Sequence, residues 1–207
     1  MEKVLDVYKK PYNSEFPVIC MDESPKQLIK EIRKPINTTI HHPERYDYEY
    51  ERCGVCNIFM ASEPLAGKRL VKITERKTKI DWAYFIKEIE EVYKKAKKII
   101  LVMDNYNTHK PGSFYDTFSP ETAKKLWDRF EFVFTPKHGS WLNMAEIELN
   151  VLMGQCLNKR IDQITIVQSK AEAWQNHRNN QNAKINWQFT TKDARVKLKR
   201  LYPTLEA

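Results

Sequence analysis

The run Lys98 to His109, KIILVMDNYNTH, constrains the fold more than any other stretch of the chain. Five apolar residues, Ile99 to Met103, lead straight into Asp104 and Asn105. A short, uninterrupted apolar run that follows a polar helical pattern marks a strand buried on both faces. Such strands belong to sheets covered by helices. In open sheets of that kind ligands gather at the carboxyl ends of the strands. Asp104 is thereby a carboxylate carried by a rigid strand to a place suited to chemistry. Taken alone, Asp104-Asn105 reads equally well as the start of a turn or a helix cap.

A second strand, FPVICMDE from Phe16 to Glu23, also ends in carboxylates, Asp22 and Glu23. The segment Ser24 to Pro43 carries Pro25, Pro35 and Pro43, which predicts a loop with a short helical turn. Tyr46 to Tyr50 (YDYEY) alternates in the manner of a strand, Cys53-Gly54 interrupts it, and Asn57 to Ser62 resumes. After a turn containing Pro64 and Gly67, Arg69 to Thr74 returns as a further strand, completing an antiparallel meander. Trp82, Phe85, Ile86 and Ile89 recur at helical spacing and predict a helix over Asp81 to Ala96, capped by Thr78 or Asp81. Ser119-Pro120 opens a helix to about Arg129, and Glu131 to Thr135 is a strand. The loop PKHGSWLN then leads to helices over Met144 to Arg160 and Ile164 to Asn179. A last, basic helix covers Lys192 to Leu201 with Thr191 as cap. The expected fold is α/β: a mixed sheet, antiparallel strands first and then alternating helices and strands, with helices on both faces and a helical C-terminal extension.

Lys and Arg number 35 against 27 Asp and Glu, a net charge of +8. That balance favours an anionic partner, nucleic acid being the commonest. No stretch approaches the roughly 20 apolar residues that span a membrane. The opening MEKVLDVYKK lacks the apolar centre of a signal peptide. Cys20, Cys53, Cys56 and Cys156 are few for a disulfide scaffold and fit a reducing, cytoplasmic setting. Cys53 and Cys56 form a lone CxxC with no second pair to complete a zinc site, so they read as strand residues.

Three carboxylates stand out: Asp22 and Asp104 at strand ends, and Glu146 at the start of the helix after PKHGSWLN. If the two strands are neighbours, their ends bring Asp22 and Asp104 together, and a helix across that end adds Glu146. Clustered carboxylates repel one another unless a cation lies between them. Oxygen-only ligands suit Mg²⁺ or Mn²⁺, and two such ions about 3.5–4 Å apart stabilise both the attacking and the leaving oxygen of a phosphodiester displacement.

The segments MDESPKQL (Met21 to Leu28), DYEYERCG (Asp47 to Gly54), MDNYNTH (Met103 to His109), TPKHGSWLNMAEIE (Thr135 to Glu148), NWQFTTKDAR (Asn186 to Arg195) and LKRLYP (Leu198 to Pro203) run in order over nearly the whole chain. In them the chain resembles the catalytic domain of bacterial insertion-sequence transposases related to the Tc/mariner group. Those proteins belong to the DDE superfamily and have a ribonuclease H-like fold. The resemblance matches Asp22 to the family's first Asp, Asp104 to the second and Glu146 to the acidic residue after WLN. The family's LNPIE pattern reads LNMAE here, at Leu142 to Glu146, which leaves Glu148 as a competitor. Residues two apart on a helix point about 200° apart, so only one of the two faces the metals. The interval of 42 positions (146 − 104) fits the insertion-sequence relatives.

What the resemblance implies is metal-dependent hydrolysis at the ends of a DNA element, then transfer of the freed 3′-hydroxyl into target DNA, without a covalent protein intermediate. Asp22, Asp104 and Glu146 would be both catalytic residues and ligands of two Mg²⁺ ions, with Mn²⁺ as substitute. Double-stranded DNA is the implied partner, a homodimer would pair two element ends, and the setting is bacterial cytoplasm at the nucleoid. Asn105, His109, Lys137, His138 and Trp141 are expected to contact DNA, although loop hydrogen bonding and core packing are the simpler roles for such residues. Glu23 reads as solvated, as a cap, or as a supporting group behind the site. The basic run Lys192, Arg195, Lys197, Lys199 and Arg200 reads as a solvated face or a phosphate track. The expected domains are 1–15, a linker or remnant of an upstream region; 16–160, the catalytic domain; and 161–207, a helical extension packed on it. Family members carry helix-turn-helix modules upstream. That leaves open an inactive, truncated DNA-binding remnant and a general ribonuclease H-like nuclease. The intact carboxylates favour catalysis, and GSWLN with NWQFTTKDAR favours a transposase.

Overall fold

The computed structural model describes residues 1–202; residues 203–207, the end of the expected helical extension, lie outside it. Five strands form one mixed sheet: β1 (Val18–Glu31), β2 (Tyr50–Glu63), β3 (Lys68–Thr74), β4 (Ile99–Met103) and β5 (Phe130–Phe134), in the order β3-β2-β1-β4-β5. The first three are an antiparallel meander, whereas β4 pairs in parallel with β1 and β5 in parallel with β4. All five residues of β4 are buried, as their unbroken apolar run requires. The helices are α1 (Glu2–Tyr8), α2 (Lys79–Val92), α3 (Pro111–Tyr115), α4 (Pro120–Arg129), α5 (Ala145–Gln155), α6 (Ile164–Asn180) and α7 (Thr191–Lys197). This is the expected architecture, a ribonuclease H-like mixed sheet with helices on both faces.

Side-chain alternation divides the core into two layers. Ile19, Met21, Phe59, Leu101 and Met103 pack against Trp82, Phe85 and Ile86 of α2 and Leu126 of α4. Cys20, Ile58, Met60 and Val102 face the other way, against Val4 and Leu5 of α1, Leu149 and Leu152 of α5, and Val167 and Ala171 of α6. Thr78 caps α2 in a capping box with Asp81, and Ser119 caps α4.

Several local expectations give way to tertiary context. Residues 2–8, expected as part of a linker, form a helix that buries Val4, Leu5 and Val7, and the Tyr8 hydroxyl donates to the Leu142 carbonyl at 2.7 Å. β1 continues through Pro25 to Glu31 in place of a loop. β4 accompanies β1 only over Val18 to Cys20, so Pro25 has a sheet partner on one side alone, where a missing N–H is tolerated. β2 runs unbroken through Cys53 and Gly54: the register slips by one residue there, and Gly54 takes φ +110° at the bulge. YDYEY is mostly irregular, tied down by Arg33 to Asp47 at 3.2 Å and Glu49 at 3.8 Å. α5 ends at Gln155, short of the expected Arg160, and α7 is capped by Thr190, paired with Asp193, in place of Thr191.

The β3 edge of the sheet is covered. Asn179 of α6 accepts from the backbone N–H of Arg69 at 2.8 Å and donates to the Arg69 carbonyl at 2.9 Å, and Gln175 accepts from the N–H of Val71 at 2.6 Å. These amides stand in for a sixth strand along β3. Among the described residues no helix is long and apolar enough to cross a membrane.

Candidate active site

The register of β1 and β4 sets the geometry of the site. Cys20 pairs with Val102 in parallel, so Asp22 and Asp104, two residues further along, stand at the same level; Asp22 lies within β1, which runs on to Glu31 in place of the expected strand end, and Asp104 is the residue just past β4. Asp22 shares the face of Cys20, toward α5. There Asn143, buried just ahead of that helix, donates to the Met21 carbonyl at 2.8 Å and to Asp22 Oδ2 at 3.2 Å. Asn143 Oδ1 accepts from the Ala145 N–H at 3.2 Å, so one amide both opens the helix and holds the carboxylate. The N–H of Glu23 donates to Asp22 Oδ1 at 2.8 Å. Burial pushes the Asp22 carboxyl up to about 6; the charges of Asp104, Glu146 and Glu23 add to the rise and the Glu23 N–H opposes it.

Asp104 is braced from the opposite face. The strand alternation that turns Asp22 toward α5 turns Glu23 toward α2, and His109 lies between Glu23 and Asp104. His109 Nε2 is 2.9 Å from Glu23 Oε1; Nδ1 is 3.1 Å from the Asp104 carbonyl and 2.7 Å from Asp104 Oδ1. The ring N–H is aimed at the carbonyl, which leaves Oδ1 in ionic contact yet without an aligned donor. Burial works against protonation of His109, but the carboxylates of Asp104 and Glu23, set against its two ring nitrogens, outweigh it and push the imidazole up to about 9. Burial likewise raises Asp104, and His109, the Tyr106 N–H and Lys77 more than reverse this, holding the carboxyl below its usual value. Trp82 stacks on the imidazole with ring centres 5.3 Å apart.

α5 presents Glu146 and Glu148 in opposite directions. Glu146 is partly exposed at the site end, near enough to Asp22 to raise its carboxyl. Glu148 is fully buried: Arg69 donates from Nε to Oε2 and from an Nη to Oε1, both at 2.7 Å, and Arg178 donates to Oε1 at 2.9 Å. Glu148 is taken up by two guanidiniums, whereas the charge of Glu146 is near enough to act on Asp22.

Beside Asp104 a cleft of about 540 Å³ opens between the loops that follow β4 and β5. Asn105, Lys137 and His138 line it with Tyr106 and Ser140, so three residues expected to contact DNA do share one surface. His138 holds φ +61°, an uncommon conformation for a residue with a side chain, in the tight turn closed by the Gly139 N–H on the Pro136 carbonyl. Trp141, also expected there, is 43% exposed and meets Phe189 edge-on at 5.6 Å. His109 departs from the expectation: its side chain is only 1% exposed, so in place of a DNA contact it holds Asp104 and Glu23. Asn143, Arg69 and Arg178 were not singled out by sequence. For Asn143 a signal existed, an Asn just ahead of a predicted helix.

Among the described residues, no group of three or more His, Cys, Asp and Glu is drawn together closely enough to hold a metal ion as the side chains stand. The chemistry of the donor set nevertheless fits a hard cation. Asp22, Asp104 and Glu146 offer oxygen alone, the charges of Asp104 and Glu146 raise Asp22, and Asp104 Oδ1 is buried with no aligned donor.

The model of the DDE superfamily endonuclease family matches residues 17–167 of the chain. No curated protein matches the chain. Among solved structures it is similar to the crystal structure of the Mos1 strand transfer complex, with TM-score 0.57 and 14% identity over 88% of this chain and 58% of that one. It is similar also to the Mos1 mariner paired end complex with Mn (TM-score 0.57, 15% identity, 88% of this chain and 56% of that one). The Mos1 paired end complex with Mg gives TM-score 0.54 and 13% identity over 88% of this chain and 58% of that one. The chain therefore spans less than two thirds of the Mos1 chains it matches. With most of its length matched by the family model, the chain belongs to the DDE superfamily endonucleases.

Proposed function

We propose that this DDE superfamily endonuclease is the catalytic domain of a DNA transposase, cutting phosphodiester bonds at the ends of an element and joining the freed 3′-hydroxyl to target DNA. The observation that carries the reading is the convergence of Asp22 and Asp104, from adjacent parallel strands, with Glu146 from α5. In this proposal these three residues hold divalent cations, Mg²⁺ with Mn²⁺ as substitute. When bound, the cations lower the pKa of a water or hydroxyl nucleophile and offset the charge that develops on the phosphate oxygens.

The chain's own residues do the rest. Asn143 fixes the Asp22 carboxylate, while His109 fixes Asp104. Lys137 stands on the open cleft beside Asp104, where it can meet a DNA phosphate; Asn105 and His138 line the same wall and Trp141 lies next to it. We take residues 16–160 as the catalytic unit and 161–207 as an extension, of which α6 covers the edge of β3. Action on double-stranded DNA, pairing of two element ends by a homodimer, two ions per site and a cytoplasmic, nucleoid-associated setting complete the proposal.

The test is nicking and joining of an end-labelled duplex carrying element-end sequence, with Mg²⁺ or Mn²⁺. Metal-dependent cleavage that is lost in Asp104→Asn and in Glu146→Gln supports the reading. Wild-type protein that binds this duplex without cutting it, in either metal, overturns the chain as a self-sufficient catalyst and makes it a DNA-binding remnant.

A further inference from the structure

β1 carries two carboxylates just past the last residue it pairs with β4, and only one of them, Asp22, lies on the α5 side, where Asn143 holds it. The other, Glu23, is turned into the opposite layer, where its side chain is 3% exposed. There it accepts from His109 Nε2 at 2.9 Å and lies 3.5 Å from Lys77. Burying an acid and an imidazole carries a large desolvation cost, and an apolar pair packed against Trp82 would serve stability as well or better. Packing alone therefore does not account for Glu23 and His109. What the pair does achieve is contact with both the carbonyl and the carboxylate of one residue, Asp104, at 3.1 Å and 2.7 Å.

The loop geometry agrees. The chain leaves β4 at Met103 and turns at Tyr106, whose carbonyl accepts from the His109 N–H at 3.0 Å. This folds the imidazole back onto the strand end. Trp82 stacks on one face of the ring and Tyr106 meets it edge-on at 5.9 Å, which fixes the ring plane. Carboxylates that bind metals are commonly oriented by a second layer of hydrogen bonds, whose loss weakens metal binding about 10- to 100-fold.

We propose that Glu23 and His109 are positioning residues: a buried brace, anchored on β1, that fixes the Asp104 carboxylate in the orientation in which it takes a divalent cation. The proposal rests on the reading of Asp22, Asp104 and Glu146 as the metal site. Neither Glu23 nor His109 touches the cation or the DNA. The brace acts through Asp104 alone, so it governs metal affinity and turnover and leaves DNA affinity unaltered.

The experiment uses the full chain and Mn²⁺ as probe, with binding followed by electron paramagnetic resonance. Glu23→Ala, Glu23→Gln and His109→Ala are compared with wild type and with Asp104→Asn. Glu23→Ala is expected to weaken Mn²⁺ binding about 10- to 100-fold while binding of a duplex in the absence of metal stays as in wild type. Glu23→Gln keeps an acceptor for His109 Nε2 and is expected to recover most of the affinity, which a loss of packing alone does not predict. The imidazole N–H protons, seen by NMR, give a readout independent of metal. Both are protected from exchange in wild type and in Glu23→Gln, and the Nε2 proton is lost in Glu23→Ala. If His109→Ala does not fold, the two Glu23 variants carry the test. Mn²⁺ bound by wild type, lost in Asp104→Asn and unchanged in Glu23→Ala overturns the brace alone. Wild type that binds no Mn²⁺ overturns the metal site and the brace with it.

Discussion

Glu146 and Glu148 sit two residues apart on one helix, and the structure assigns them opposite consequences on substitution. Glu148 is fully buried and receives three hydrogen bonds from Arg69 and Arg178 at 2.7–2.9 Å. Removing one side of a buried ion pair costs about 3–5 kcal/mol, because the partner charge is left without compensation. Glu148→Gln keeps the shape and one acceptor oxygen, which places it near 3 kcal/mol on that scale. Arg69 also keeps its bonds to the Gly67 and Ala183 carbonyls. A domain of this size loses about 2–4 °C in Tm per kcal/mol, so Glu148→Gln lowers Tm by about 6–12 °C. Glu148→Ala adds a cavity and reaches the upper end, about 10–20 °C. Glu146→Gln is partly exposed, breaks no hydrogen bond and removes a charge that repels Asp22, so Tm stays within about 2 °C of wild type. Activity moves the other way. Below the lower of the two melting temperatures, Glu148→Gln cleaves labelled duplex and Glu146→Gln does not. Circular dichroism melts and a cleavage gel on the same preparations read both. A Glu148→Gln protein with wild-type Tm and no cleavage would refute the reasoning, since it would make Glu148 a ligand and its ion pairs incidental.

Two further substitutions probe the frame around the site. Gly67 has φ +69°, and a Cβ there would lie 2.5 Å and 2.6 Å from the backbone carbonyl of Asn182. Left-handed strain of about 1–2 kcal/mol adds to that clash, so Gly67→Ala lowers Tm by at least about 4 °C, and an unchanged melt would show that this contact yields freely. Glu63 is buried and its carboxyl is raised by burial, against the opposing bond from the Tyr93 hydroxyl at 3.0 Å. With the folded value above the unfolded one, the unfolded chain gives up its proton first, and Glu63 costs the fold stability as pH rises from about 4.5. Glu63→Gln retains an acceptor for Tyr93. Its stability relative to wild type, measured in urea at pH 4 and at pH 7, is therefore higher at pH 7, and a gap that shrinks with rising pH would contradict this.

What the sequence reveals of this molecule, and what it conceals, follows from the range of the interactions. β4 and its terminal Asp104 are legible because an unbroken apolar run and the polar residue that ends it are neighbours in the chain. That β1 and β4 are neighbours is only a condition in the sequence; the structure supplies their parallel pairing, which brings Asp22 level with Asp104. The supports of those carboxylates are of another kind. Glu23 and His109 are 86 residues apart, Asp22 and Asn143 are 121 apart, and Arg69 and Glu148 are 79 apart. No local pattern marks such partners, and so His109 reads from its loop as a DNA contact or a loop hydrogen-bonding group, whereas it is buried against Glu23 and Trp82. Helix geometry separates Glu146 from Glu148, but only the guanidiniums of β3 and α6 decide which of them is spoken for. Local rules also overreach. Pro25 predicts a break because a strand interior needs its N–H, yet β1 at that point has a single sheet partner and the need does not arise. Val4, Leu5 and Val7 are too few apolar residues to announce a helix, and they are buried by a core that α5, α6 and α7 assemble far along the chain. α1 then carries the Tyr8 hydroxyl to the Leu142 carbonyl, one residue before the Asn143 that holds Asp22. The segment that reads as a linker or remnant is thus joined, through a single hydrogen bond, to the loop that sets the first carboxylate.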